Sequence, residues 1–265
     1  MTRLFLCALL LPALALSAPP SAPYPGGIAV IALGPYAERP DVRFRSNPVL
    51  VTREEDGWVA VVGIPLDEPT GTATLLVGDQ GIEFEIEPHK YREQHLTVKP
   101  SYVNPDPAAL ERIGRESALI AAAKNHFSSE APPALRLQAP VPGKRSDSFG
   151  SRRFFNGEPR SPHRGMDISG GRGTPIGAPL DGKVLLTGNF YFTGNAVFLD
   201  HGAGLVSLYA HLDSIAVAEG DVVRTGDKLG EVGATGRVTG AHLHFATYLN
   251  GTPVNPALLL VPRRQ

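Results

Sequence analysis

The stretch that decides the fold class is Gly78-Asp79-Gln80-Gly81-Ile82-Glu83-Phe84-Glu85-Ile86-Glu87. From Ile82 to Ile86 apolar residues fall at every second position with Glu between them. An extended chain with that period buries one face and wets the other. The Gly-Asp-Gln-Gly segment ahead of it reads as a hairpin turn. Upstream, short runs of the same character recur at residues 42–45, 58–62 and 72–77, each broken by turn residues. Strands at this spacing across residues 28–98 predict a small antiparallel β-sandwich of immunoglobulin-like kind.

The composition agrees with a turn-rich β protein. Of 265 residues, Gly contributes 29 and Pro 25, about a fifth of the chain, where ordinary usage is nearer 12%. No triplet period accompanies the excess, which excludes a collagen-like rod. The 25 basic and 26 acidic residues balance, so charge offers no argument for nucleic acid or an anionic membrane as a partner. The length accommodates one or two domains, each able to bury a core.

The first twenty residues, MTRLFLCALLLPALALSAPP, combine Arg3, an apolar run over 4–16 and the small residues Ser17 and Ala18. That layout predicts a secretory signal peptide over residues 1–18, too short in its apolar run to span a bilayer comfortably. No later stretch approaches 18 apolar residues, so no integral membrane segment is expected in the mature chain. The one cysteine, Cys7, falls inside the signal. An exported chain without cysteine cannot use disulfides, and packing or a metal must hold it together.

Beyond a first β domain over residues 19–100, the period changes. Asp106 is placed to cap a helix, Pro107 suits its first position, and residues 108–127 carry apolar side chains at Leu110, Ile113, Ala118 and Ile120. This predicts a helical linker within 101–130. From residue 131 to 265 the texture is again β: 20 of the 29 glycines lie between Gly143 and Gly251. Short strands are expected at 182–187, 196–200, 206–211, 228–231 and 242–249.

Four of the eight histidines cluster in this last region: His163 with Asp167 four residues on, His211 in Tyr-Ala-His-Leu, and His242-Leu243-His244-Phe245. On a strand, His242 and His244 project to one face while Leu243 and Phe245 face the core. Two imidazoles on one sheet face suit a zinc ligand beside a catalytic base, and a loop His–Asp pair can supply two further ligands. Three protein ligands with a fourth position open is the arrangement of a catalytic zinc. His89 and His95 read as domain-edge residues without a chemical role, and His201 as structural.

The run from about Ser148 to Pro256 closely resembles the catalytic domain of the lysostaphin/LytM-type zinc metallopeptidases. The matching text is Phe154-Phe155-Asn156-Gly157-Glu158-Pro159-Arg160-Ser161-Pro162-His163-Arg164-Gly165-Met166-Asp167, Leu199-Asp200-His201-Gly202, Tyr209-Ala210-His211-Leu212, Gly233-Ala234-Thr235-Gly236, Thr239-Gly240 with His242-Leu243-His244-Phe245, and Asn250-Gly251-Thr252-Pro253-Val254-Asn255-Pro256. The upstream part resembles, more loosely, the domain that precedes this unit in periplasmic members.

The resemblance implies one zinc ion per chain on His163, Asp167 and His244. It leaves His211 and His242 as non-ligand histidines, one activating water and the other steadying the tetrahedral intermediate, without deciding which does which. It implies a mainly β fold with an antiparallel catalytic sheet, and a peptidoglycan endopeptidase cutting stem-peptide cross-links, D-alanyl–diaminopimelate bridges before glycine bridges. The location implied is the periplasm, with secretion as second choice. The competing function is a non-catalytic regulator that activates another cell-wall hydrolase; retention of the full ligand set speaks against it. No regulatory protein partner is identifiable, nor is a residue by which an upstream segment would block the cleft. Two departures stand out. The segment before His163 has no tyrosine to bring near the metal, and Ala246 stands where the family often has glutamate.

Overall fold

The computed structural model describes residues 18–97 and 105–262; the expected signal peptide lies, all but Ala18, outside the described residues. The first half folds as β1 (Ile28–Gly34), β2 (Val42–Phe44), β3 (Asn47–Pro48), β4 (Leu50–Glu54), β5 (Gly57–Gly63), β6 (Gly71–Val77), β7 (Gln80–Ile86) and β8 (Glu93–Leu96). One sheet has the order β1-β5-β4 and the other β3-β2-β6-β7. Their facing side chains, among them Ala29, Val51 and Val62 against Phe44, Leu75 and Ile86, form one core. In the hairpin, Val77 pairs with Gln80 around Gly78 and Asp79, with Gly78 at φ 56°.

The apolar run in β5 has a different origin from the alternating β7. Val59 to Gly63 are all buried, because the β1-β5-β4 sheet is covered on both faces. Its second face, carrying Ile28, Leu50 and Val61, joins the core of the C-terminal half. Asn250 fastens the junction. Its side chain accepts from the Gly63 N–H at 2.7 Å and donates to the Gly63 carbonyl at 3.0 Å, both buried. A Cβ at Gly63 would come within 2.9 Å of the Leu249 carbonyl oxygen, so the close approach requires glycine there.

A helix, α1 (Pro107–Lys124), follows. Asp106 caps it by accepting from the Ala109 N–H at 2.7 Å. It ends three residues before the expected Phe127, and its apolar stripe is narrower than the sequence suggests, with Leu110 exposed. The reason is that only its C-terminal half, through Ile120 and Ala123, reaches a core. The N-terminal half is held by polar contacts instead: Arg112 donates to the Asn189 carbonyl and Glu116 accepts from the Tyr191 N–H.

The C-terminal half comprises β9 (Arg152–Phe155), β10 (Glu158–Arg160), β11 (Met166–Ser169), β12 (Pro175–Gly177), β13 (Gly182–Phe190), β14 (Gly194–Gly202), β15 (Leu205–Ile215), β16 (Val222–Val223), β17 (Lys228–Val232), β18 (His242–Leu249) and β19 (Thr252–Val254). Nine of these make one sheet with the central order β11-β18-β15-β14-β13-β16. One face packs Tyr209, Leu212, Leu243 and Phe245 into the main core. On the other, α1 covers Leu208, Ala246 and Tyr248. Strand β8 leaves the sandwich and pairs in parallel with β9, tying the two halves beside that second face.

Replacing Asn250 by Ala orphans both backbone groups of Gly63 and places alanine at a φ of 42°. The expected loss is about 3 kcal/mol in denaturant unfolding; Asn250→Gly relieves the backbone strain alone and recovers only part of it.

Candidate active site

Three strands place the site. Strand β18 lies between β11 and β15, so His244 has Asp167 directly opposite on one side and Ala210 on the other. Leu243 and Phe245 are fully buried on the opposite face, as the two-residue period requires, and His242 and His244 share the open one. The Asp167 backbone is anchored by its N–H donating to Ser146 Oγ at 3.0 Å and its carbonyl accepting from the Ser146 N–H at 2.9 Å. His163 arrives from the loop before β11, which is pinned to residues 150 and 151: Gly150 N–H donates to the His163 carbonyl and His163 N–H to that of Ser151.

His211 reaches the same face only through a break in strand parity. Tyr209 points into the main core and Ala210 to the opposite face, so regular alternation would send His211 into the core. Instead Ala210 and His211 together oppose Ala196 in a bulge, with His211 at φ 68°, and Leu212 resumes in the core. A bulge re-aims a side chain in this way at a local backbone cost of about 1–2 kcal/mol. The bulge is held by Asn195, whose amide donates to the carbonyls of Leu212 and Asp213, and by Thr235 Oγ1, which donates to the Leu212 carbonyl.

The structure thus brings together all five residues singled out in the sequence. His163 Nε2, His244 Nδ1 and Asp167 Oδ1 form a tight triangle: 2.9 Å between the ring nitrogens, 3.2 Å from His163 to Asp167 and 3.0 Å from His244 to Asp167. Two imidazoles and one carboxylate are a zinc-type donor set. Tetrahedral zinc at about 2.0–2.1 Å sets donor atoms about 3.3 Å apart, within a few tenths of the separations found. The residues fit a divalent metal. His163 Nδ1 is buried with no hydrogen-bond partner among the described residues, so the ring's polar contacts are concentrated on the cleft side.

The electrostatics suit the same role. Burial pushes the His163 imidazole down to a pKa of about 4 and, helped by His244 nearby, that of His211 down to about 3. Burial acts to raise Asp167, but hydrogen bonds from His163 and His244 outweigh it and hold the carboxyl far below the ordinary range. A neutral His163 imidazole beside an ionised Asp167 carboxylate suits a metal ligand pair. Both remaining rings are oriented by carbonyls. His211 Nδ1 lies 2.9 Å from the Thr235 oxygen and His242 Nδ1 2.9 Å from that of Gly240. A carbonyl only accepts, so each Nδ1 carries a proton, and in the neutral ring Nε2 then keeps its lone pair. His242 Nε2 stands 3.6 Å from Asp167 Oδ1.

A cleft of about 200 Å³ opens over these groups, lined also by Gln94 and Leu96 from β8, by Arg153 and Phe155, and by Phe192 and Arg237. Sequence reading missed the β8 contribution, the bulge-holding Asn195 and Thr235, and the glycine at 165. A Cβ on Gly165 would come within 2.6 Å of the His244 ring; the glycine between His163 and Asp167 was the available signal. The remaining four histidines sit elsewhere: His89 stacks on Tyr24, His95 on Phe154, His126 lies 3.4 Å from Asp200, and His201 bonds the Asp181 carbonyl and Ser207 Oγ in the interior.

An antiparallel sheet carrying a His/Asp/His triangle beside two oriented imidazoles is the architecture of a metal-dependent hydrolase centre. Residues 161–256 match Peptidase family M23 and residues 21–89 the Peptidase family M23 N-terminal domain. A crystal structure from Pseudomonas aeruginosa described as a peptidase M23 is 40% identical, covers 90% of this chain and 95% of its own, and superposes with a TM-score of 0.78. The chain belongs to peptidase family M23, a family of metallopeptidases. It is also similar to the DD-carboxypeptidase/endopeptidase Mpg of Neisseria meningitidis, 45% identical over 38% of this chain and 23% of that protein. Peptidoglycan DD-endopeptidase ShyA of Vibrio cholerae is 39% identical over 44% of this chain and 27% of its own. The chain spans about a quarter of the length of these curated relatives.

Gly165→Ala is expected to push the His244 ring out of the triangle and weaken zinc binding roughly tenfold or more. Competition against a chromophoric chelator measures it, with the variant's thermal unfolding as the control for folding.

Proposed function

We propose that this chain is a zinc-dependent endopeptidase that hydrolyses peptide cross-links of bacterial peptidoglycan, D-alanyl–diaminopimelate bridges foremost. Residues 131–265 carry the catalytic unit, 19–100 the N-terminal β domain and 101–130 the link between them. The observation that carries the reading is the triangle of His163 Nε2, Asp167 Oδ1 and His244 Nδ1 with two unspent Nε2 lone pairs beside it. His163, Asp167 and His244 would hold one zinc ion. When bound, the ion supplies Lewis acidity that polarises the scissile carbonyl and activates water.

The protein's own part is positional and protonic. His211 and His242 each offer Nε2 as a proton acceptor, while the Thr235 and Gly240 carbonyls hold the proton on Nδ1. The ring that takes the proton from water becomes an imidazolium, and its Nε2–H can donate to the leaving amine; the other ring supports the charge that develops on the substrate oxygen. The carbonyl opposite each Nδ1–H stabilises that charged state. The Phe155 and Phe192 walls narrow access for bulk water.

The export signal read over residues 1–18 and the relatives named for peptidoglycan hydrolysis support the periplasm as the place of action. The complete donor set supports catalysis over the alternative of an activator with an idle site.

Incubating the purified protein with isolated sacculi should release new muropeptides, resolved by mass spectrometry, and a chelator should abolish the release. Release that persists under chelation, or none at all, overturns the reading. His244→Ala should reduce release to background, and His211→Ala should slow it by about 10²-fold or more while zinc remains bound. If either variant keeps full cellular function without cleavage, the activator role replaces the enzyme.

A further inference from the structure

The donor triangle occupies one side of its cleft, and two cations on the rest of the lining have no part in the chemistry above. Arg153 on β9 and Arg237 in the loop before β18 both face the cleft. Their guanidinium groups gather on a single ring: Arg153 Cζ lies 6.0 Å from the Phe155 centroid and Arg237 Cζ 4.9 Å from it. Arg237 also lies 4.3 Å over Phe192, and its backbone N–H donates to the Phe192 carbonyl at 2.9 Å. The charged plane is therefore held between two phenyl rings. Arg153 Nε donates to Gln94 Oε1 at 3.2 Å, a neutral partner, and Arg153 has no carboxylate within salt-bridge reach among the described residues.

The charge balance of the lining is one-sided. Asp167 is the only acid lining the cleft among the described residues, and its carboxylate is engaged by His163 and His244. A carboxylate entering the cleft beside the triangle meets cationic groups from two separate elements of the chain. The guanidinium fork matches a carboxylate with two parallel N–H···O bonds, and stacking on the phenyl rings orders that fork before the ligand arrives.

We propose that Arg153 and Arg237 form a carboxylate subsite that selects peptides bearing a carboxylate on the carbon attached to the scissile nitrogen. The proposal rests on the peptidase reading above and specifies its substrate class. In a D-alanyl–diaminopimelate bridge the acylated amine sits on a carbon that also carries a carboxylate; a terminal D-alanine presents the same group at the same place. Inside a glycine bridge that carboxyl is already an amide, so the subsite has nothing to bind. Arg153 and Arg237 are specificity-determining residues here, and neither touches the scissile carbonyl.

The test uses the zinc-loaded full chain and two pairs of synthetic peptides, one with the bridge and one ending in D-Ala-D-Ala, each as free carboxylate and as carboxamide. For at least one pair the carboxamide should raise KM about tenfold or more with little change in kcat. Arg153→Gln and Arg237→Gln should each bring the acid-to-amide ratio close to one, and Arg153→Lys, which keeps charge and stem but loses the fork, should retain part of it. Which pair shows the preference identifies the source of the carboxylate. In parallel, calorimetry with reduced-amide analogues that cannot be hydrolysed reads the same ratio as affinity.

Equal KM for acid and amide in both pairs overturns the subsite and leaves the peptidase reading intact. So does an acid preference that survives in both Gln variants but vanishes in His244→Ala, since the carboxylate then goes to the metal. If no peptide is cleaved yet the acid analogue binds tighter and the Gln variants abolish that difference, the subsite stands and the peptidase reading falls.

Discussion

The pairing of β18 between β11 and β15 is the constraint on which the molecule depends. Its register sets Asp167, His244 and Ala210 in one row across three strands. A slip of one residue on β18 would turn both of its histidines into the core and Leu243 and Phe245 out to water. The burial of those two side chains, each worth about 2 kcal/mol, therefore enforces the geometry of the polar face. Core packing and donor placement are two consequences of the same alternation.

The sheet divides its second face between covering and chemistry. Toward one end, α1 shelters Ala246 and Tyr248; toward the other, the same strand presents His244 and His242 to an open cleft. The first half of the chain is built into this arrangement rather than appended to it. Ile28, Leu50 and Val61 complete the main core, Asn250 closes the junction on Gly63, and β8 supplies part of the cleft lining. Removing that half would uncover apolar surface and open one side of the cleft, so the two halves are coupled in stability as well as in position.

Much of this was legible one residue at a time. The Glu-spaced run of β7 announced a one-sided strand, Asp106-Pro107 announced a helix start, and the two-residue spacing of His242 and His244 announced a shared face. Local geometry carries those messages, and local geometry follows from sequence. The end of α1 was less legible, because where a helix stops burying side chains depends on what lies opposite. Only Ile120 and Ala123 met a core; the polar ties of Arg112 to β13 and of Glu116 to Tyr191 just after it took over elsewhere. The unbroken apolar run of β5 resembled any buried strand. That it is covered by two different layers is a property of the packed chain.

The sequence by itself determined the class of fold, the residue types of the site and the strand phase of His242 and His244, because each depends on a period within a few residues. Only the tertiary structure decided how His211 joins them. Plain alternation from Tyr209 would have put that ring in the core, and a left-handed bulge held by Asn195 and Thr235, distant in sequence, turns it to the open face. The gathering of Arg153 and Arg237 on the Phe155 ring belongs to the same category, since it joins strand β9 to a loop some eighty residues later. Periodicity is a local property that sequence carries in full; convergence is set by the packing of distant strands, and that becomes definite only when the sheet is assembled.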